Sequence, residues 1–238
     1  MPSTRRHITL ALALLALATY PLAQAQDPQK IRFRAICFDP RDTAAPKFHI
    51  PDGAKRSEVT IPKTSLSNTI SATLRAGGFI DFFDSADADR PAVSVKLPVT
   101  GQQRLLVLLA PSGTGFDGRA MQLPANGFGG GDTLVLNLSR IPISIRYGDG
   151  APGSVPAGSH KTFSLPANFP EPMIPVQVFE QDPAGEWQIA QSTRWAVDDR
   201  FRSFLFVYQS PRNQRLTFHG ITERRGPGGW GGEPTEVE

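Results

Sequence analysis

The sequence predicts an all-β chain made of two β-sandwiches, immunoglobulin-like or related, with one larger β-sandwich as the alternative. Glycine and proline, 22 of each among 238 residues, fall between short tracts and punctuate them as turns do. The tracts themselves alternate apolar and polar residues with a period of two, the pattern of strands that bury one face. Beyond residue 25 no long tract places apolar residues at i, i+3, i+4 and i+7, and no pair of caps brackets one, so helix is not expected.

The first 25 residues have the three parts of a secretory signal: Arg5 and Arg6, an apolar run over residues 8–18, and the small-residue exit Ala23-Gln24-Ala25. A run of about a dozen residues is too short for a hydrocarbon core of roughly 30 Å. No later run is longer, so the reading is cleavage near Ala25 and no transmembrane segment afterwards. Gln26 is not the cysteine that lipid attachment needs. Paired arginines fit either the general or the twin-arginine export route. The expected location is the periplasm or the cell exterior.

Residues 26–123 read as the first sandwich. In the tract 30–38, Ile31, Phe33, Ala35 and Cys37 share one face while Arg32 and Arg34 take the other. Shorter strands follow over 58–61, 69–74, 79–83 and 92–97. The tract 105–109, Leu-Leu-Val-Leu-Leu, is apolar on both parities, which predicts a central strand covered on both faces. Residues 124–131, Pro-Ala-Asn-Gly-Phe-Gly-Gly-Gly, offer little side chain to bury and read as a Gly-rich linker.

Residues 132–222 read as the second sandwich, with strands over 133–138, 143–147 and 161–165. Two hairpins close it. Residues 176–180 pair with 186–195 across Asp182-Pro-Ala-Gly185, whose Asp, Pro and Gly suit a type I turn, and 203–208 pair with 215–221. Each half has about 90 to 100 residues, close to the ~100 residues at which a sandwich closes on its own core. The halves share no visible sequence repeat. Residues 223–238 are poor in apolar side chains and read as a disordered tail.

Charge and composition exclude several functions. Of 25 basic side chains, Arg5 and Arg6 belong to the leader, leaving 23 against 22 acidic ones. A near-neutral chain without a basic run has little to exchange for the counterions of phosphates, so nucleic acid is not an expected partner. Cys37 is the sole cysteine, which rules out an intrachain disulfide; its apolar parity makes it a buried, inert thiol.

No catalytic constellation is recognisable. Residues 113–118 match G-x-G-x-x-G, but Pro124 and the glycine run preclude the helix a dinucleotide site requires. His49, His160 and His219 lack metal-ligand spacing, and Asp81, Asp84, Asp87 and Asp89 lack the spacing and glycine of a calcium loop. No G-x-S-x-G elbow occurs. Asp198 and Asp199 are adjacent, and adjacent side chains of an extended segment point apart rather than across a sugar. No cofactor and no metal are expected.

The richest tract is 192–203, Ser-Thr-Arg-Trp-Ala-Val-Asp-Asp-Arg-Phe-Arg-Ser, at the joint of the last two hairpins. Arg194, Arg200 or Arg202 can pair with Asp198 or Asp199 and fix how the hairpins cross. As a ligand site it would use Trp187 or Trp195 as a flat platform beside Asp198, Asp199 and Arg200. Residues 132–221, with this aspartate pair and aromatic hairpin, resemble uncharacterised exported β-rich bacterial proteins. That resemblance implies export and β architecture and assigns no residue a role.

These observations favour a non-catalytic binding or scaffolding module contacting an envelope protein or a glycan. Two alternatives stand beside it. One is a sandwich hydrolase or lyase acting on a glycan, which requires a cleft where acidic and basic groups converge. The other is an assembly subunit that adds a strand to a neighbour. Oligomeric state is not readable from the sequence.

Overall fold

The structure, a computed structural model, describes residues 29–39, 44–98, 104–112, 115–124, 127–164, 172–182, 184–196, 198–210, 213–226 and 229–230. The leader, the positions 125 and 126 of the expected linker, Leu165, and the last residues of the expected tail lie outside this set. Among the described residues there are strands and no α-helix, so the all-β expectation holds.

The first half comprises β1 (Lys30–Cys37), β2 (Lys47–Asp52), β3 (Lys55–Thr60), β4 (Ile70–Thr73), β5 (Phe79–Phe82), β6 (Val93–Lys96), β7 (Leu105–Ser112) and β8 (Gly115–Gln122). One sheet has the order β4-β1-β7-β8, with β1 and β7 parallel. Opposite it lie the hairpins β2-β3 and β5-β6. They meet where His49 and Phe83 exchange backbone hydrogen bonds of 2.7 and 3.0 Å, which gives the order β3-β2-β5-β6.

The second half comprises β9 (Thr133–Asn137), β10 (Ile143–Tyr147), β11 (Gly153–Val155), β12 (His160–Phe163), β13 (Met173–Gln181), β14 (Trp187–Ala196), β15 (Phe201–Gln209), β16 (Leu216–Gly226) and β17 (Gly229–Trp230). Its sheets have the orders β12-β9-β15-β16-β17, with β9 parallel to β15, and β11-β10-β13-β14. Counted from its own first strand, each half is therefore 4-1-7-8 packed on 3-2-5-6, and β17 is an addition. The chain is a topological duplication that its side chains do not display.

Three apolar cores follow from strand parity. On β7, Leu105, Val107 and Leu109 enter the first core, within the first half, while Leu106 and Leu108 enter a middle one. On β15, Phe204 and Phe206 enter the middle core while Leu205 and Val207 enter the third, within the second half. The two parallel-paired sheets thus face each other, and their central strands are buried on both sides, as the double parity of 105–109 requires. Burying side chains such as Leu106 and Phe206, both fully inaccessible, contributes about 1.5–3 kcal/mol each.

The middle core also contains three charges. Glu223 on β16 pairs with Arg34 on β1 and with Arg202 on β15, where Arg202 Nε and Nη2 stand 2.9 and 2.8 Å from Glu223 Oε2. Arg34 Nε donates to the Ser67 carbonyl at 2.8 Å. The guanidinium of Arg202 lies over the rings of Phe128 and Phe204, at 4.8 and 5.6 Å.

Two expectations are corrected here. The sequence reading ended the second sandwich at residue 222, yet β16 continues to Gly226. Charge pairing through Glu223, not apolar mass, holds those residues. Residues 127–131, read as linker, are packed: Phe128 is buried in the middle core, edge-on to Phe204 at 5.0 Å. Gly131 N donates to the Phe201 carbonyl at 2.7 Å. At Gly130 a Cβ would sit 1.7 Å from the Asp199 carbonyl oxygen, so this glycine serves close backbone approach instead of flexibility.

Candidate ligand cleft between the last two hairpins

The site begins with an irregularity in β14. Val178 pairs with Gln191 but its neighbour Phe179 pairs with Ile189, so Ala190 is an extra residue, a β-bulge. A bulge shifts side-chain parity, and the consequence is two-sided. Gln191, Thr193 and Trp195 stand opposite the buried Val178, Val176 and Ile174 and face the interior of the sandwich. Trp187 and Ile189 face outward and are 45% and 57% exposed.

Across from β14, the same interior face of β15 and β16 carries Ser203 and Leu205, then Phe218, Gly220 and Thr222. Where a closed sandwich would place aliphatic side chains, the facing strands β14, β15 and β16 present the Gln191 amide, the hydroxyls of Thr193, Ser203 and Thr222, and Gly220. The sheets do not close there. A cavity of about 540 Å³ remains, lined by Trp195, Tyr147, Gln191, Thr193, Ser203 and Gly220 among others, within the roughly 300–1,000 Å³ of ligand sites.

The first half supplies an internal comparison. Its equivalent strands, β6 and β8, present Val93, Val95 and Gly118, and they close: a Cβ at Gly118 would meet Val95 Cγ2 at 2.3 Å and Leu109 and Val93 at 3.1 Å. A Cβ at Gly220 would meet nothing within 4 Å. One topology is sealed in the first half and open in the second.

Trp195 packs on Tyr147 with ring centroids 5.8 Å apart and a 56° tilt. Burial raises the Tyr147 phenol above its ordinary value, a hydrogen bond with Thr133 partly opposes this, and Asp132 adds to the rise. Asp198 reaches the rim. Its carboxylate accepts from Arg200 Nε at 2.9 and 3.1 Å, from Arg200 Nη2 at 2.5 Å and from the Arg200 backbone N–H at 2.9 Å. Those side-chain and backbone hydrogen bonds pull its pKa down to about 2.

Of the residues singled out from sequence, the structure brings Trp195 and Asp198 to the cleft, with Arg200 present through Asp198. Trp187 is on the opposite face of the sheet, and the exposed Asp199 meets Gly130 through its backbone. Tyr147, Gln191, Thr193, Ser203, Phe218 and Gly220 were not anticipated. A glycine amid strand residues, as in Phe218-His219-Gly220-Ile221, was the available signal, because such positions mark close approach of a ligand or backbone.

The remaining sequence candidates are structural. Asp81 is buried and accepts from Arg75 Nε at 2.7 Å and Ser94 Oγ at 2.6 Å, whereas Asp84, Asp87 and Asp89 are exposed. Of residues 113–118, 113 and 114 lie outside the described residues, and Gly115 to Gly118 belong to β8, paired with β7. Among the described residues no three of His, Cys, Asp and Glu converge as metal ligands, and no helix is long and apolar enough to cross a membrane.

No protein-family profile and no curated protein matches the chain. Among solved structures, a DUF3823 family protein from Bacteroides ovatus is similar at 14% identity and a TM-score of 0.19, covering 71% of this chain and 99% of that one. A likeness at that level carries no functional argument.

Proposed function

We propose that the chain is an exported, non-catalytic binding module of the periplasm or cell exterior, holding its ligand in the cleft between β14 and β16. The observation that carries this reading is the contrast of Gly118, packed against Val95, with Gly220, open to the cavity. A glycoside-hydrolase reading of the usual two-carboxylate kind needs a protonated acid facing a second carboxylate. Asp198 is the single carboxylate among the cleft's described lining residues and is held ionised by Arg200.

Thermal-shift screening of the leader-free chain against mixed oligosaccharides and short peptides tests the reading. Ligands should stabilise the native chain and lose that effect in Gly220→Leu, which fills the cavity. Stabilisation indifferent to Gly220→Leu, or glycan turnover abolished by Asp198→Asn, would overturn it. Cell fractionation and the mass of the recovered chain test export; a mature N-terminus near Gln26 is expected.

A further inference from the structure

We infer that the cleft takes a short, uncharged oligosaccharide, with a pyranose ring against Trp195 and over Gly220; this rests on the reading of the cleft as a ligand site. Charge is the first discriminator. Asp198 already has three hydrogen bonds to the Arg200 side chain, so neither member of that pair offers an unopposed charge to an ionic ligand. Arg194 stands on the outward parity of β14, register partner of Pro175, and is the other charged residue beside Asp198 among the cavity's described lining residues.

Polarity within the cavity is the second discriminator. Gln191, Thr193, Ser203 and Thr222 come from three strands and line one space with Trp195 and Tyr147. Hydroxyl and amide groups both donate and accept, which matches sugar hydroxyls with either polarity and gives a purely hydrocarbon ligand unsatisfied partners. A pyranose also has an apolar face of C–H groups suited to an indole, and aromatic side chains bind well where one side is apolar and the other wet.

A peptide is a poorer match. Extended peptides are held through main-chain hydrogen bonds at a free strand edge. β14, last in the order β11-β10-β13-β14, has such an edge beside the cleft. The floor, where Gly220 leaves room, is instead the β15-β16 ladder, in which Ser203, Leu205 and their partners Thr222 and Gly220 are paired in register and offer a peptide no unpaired main chain. Gly220 completes the argument: the missing side chain leaves room on the floor directly across the cavity from β14, and within 4 Å nothing else fills it.

The test is isothermal titration of the leader-free chain with cello-, malto- and N-acetylglucosamine oligomers, alongside oligogalacturonate and a set of neutral tetrapeptides. At least one uncharged sugar series should bind. Gly220→Leu should weaken it by at least about tenfold, Trp195→Phe should weaken it less, and Trp187→Phe, on the other face, should leave it unchanged. Circular dichroism verifies that each variant is folded. Absence of binding by all three neutral series overturns the inference, as does neutral-sugar binding that Gly220→Leu leaves intact. Binding only of oligogalacturonate or peptide, lost in Gly220→Leu, overturns the ligand class and leaves the cleft reading standing.

Discussion

Arg202 and Glu223 are register partners on β15 and β16, and their side chains meet at 2.8 Å while only 1% and 8% exposed. Arg34, from the other half of the chain, completes the cluster on the second carboxylate oxygen. Two guanidinium groups are therefore buried between the inner sheets around one carboxylate. Desolvating such charges is costly, so the cluster specifies how the halves meet more than it adds net stability.

Removing the shared anion exposes that balance. Glu223→Gln keeps the shape and leaves two buried cations without a counter-charge, at a cost of about 3–5 kcal/mol. Urea denaturation should show this as a lower midpoint. Replacing all three residues by apolar side chains of similar volume should recover much of the loss. A Glu223→Gln midpoint equal to the parent's would mean that the carboxylate contributes nothing to the junction.

Gly118 and Gly220 should respond oppositely to one added methyl group. Gly118→Ala forces its Cβ into Val95, an overpacking that costs about 1–3 kcal/mol. Gly220→Ala meets open space and removes chain entropy from the unfolded state, for a gain of about 0.4–1 kcal/mol. Paired denaturation curves decide the matter. Equal losses at both sites would show that the second half is as tightly closed as the first.

How much of this was readable beforehand follows from what each signal depends on. The double parity of residues 105–109 required cover on both faces, and β7 has it. Asp182, Pro183 and Gly185 announced a turn, and Asp182 Oδ1 accepts from the N–H groups of Ala184 and Glu186, both at 2.9 Å. Parity alone does not describe β14, where Trp187, Ile189, Gln191, Thr193 and Trp195 are all odd yet face both ways. The bulge at Ala190 is a property of pairing with β13, so a single strand's sequence does not reveal it. Glu223 and the 127–131 glycines were misjudged for a related reason: charge pairing and close backbone approach depend on the partner segment.

Histidine burial makes stability depend on pH. His219 packs against Phe38 and Phe206, with ring centroids 5.8 and 6.4 Å away, and burial lowers its pKa. His160 is lowered as well, by burial first and then by the charge of Arg119. Depressed folded values mean that the unfolded chain takes up protons first as pH falls. Stability from these groups is full above the unfolded value of about 6.5, declines as pH drops through the folded values, and levels off below them. Melting temperature measured from pH 8 to pH 5 should fall, and His219→Phe should flatten the profile. An unchanged slope in that variant would remove His219 from the account.

Asp198 titrates far from the range a proton donor would need. Arg200 holds it at about 2 against an ordinary value of 3.8. Since the pair lies at the rim of the cleft, separating electrostatic from catalytic roles is direct. Carbon-detected NMR of the carboxyl group should show Arg200→Ala moving the titration upward toward the ordinary range, with no group in the parent titrating near neutrality at this position. The associated stability is present above 3.8 and is lost as pH falls toward 2, because the folded carboxyl is the stronger acid. A parent Asp198 titrating above pH 5 would contradict the geometry of its four hydrogen bonds from Arg200 and would restore a proton-transfer role at the cleft.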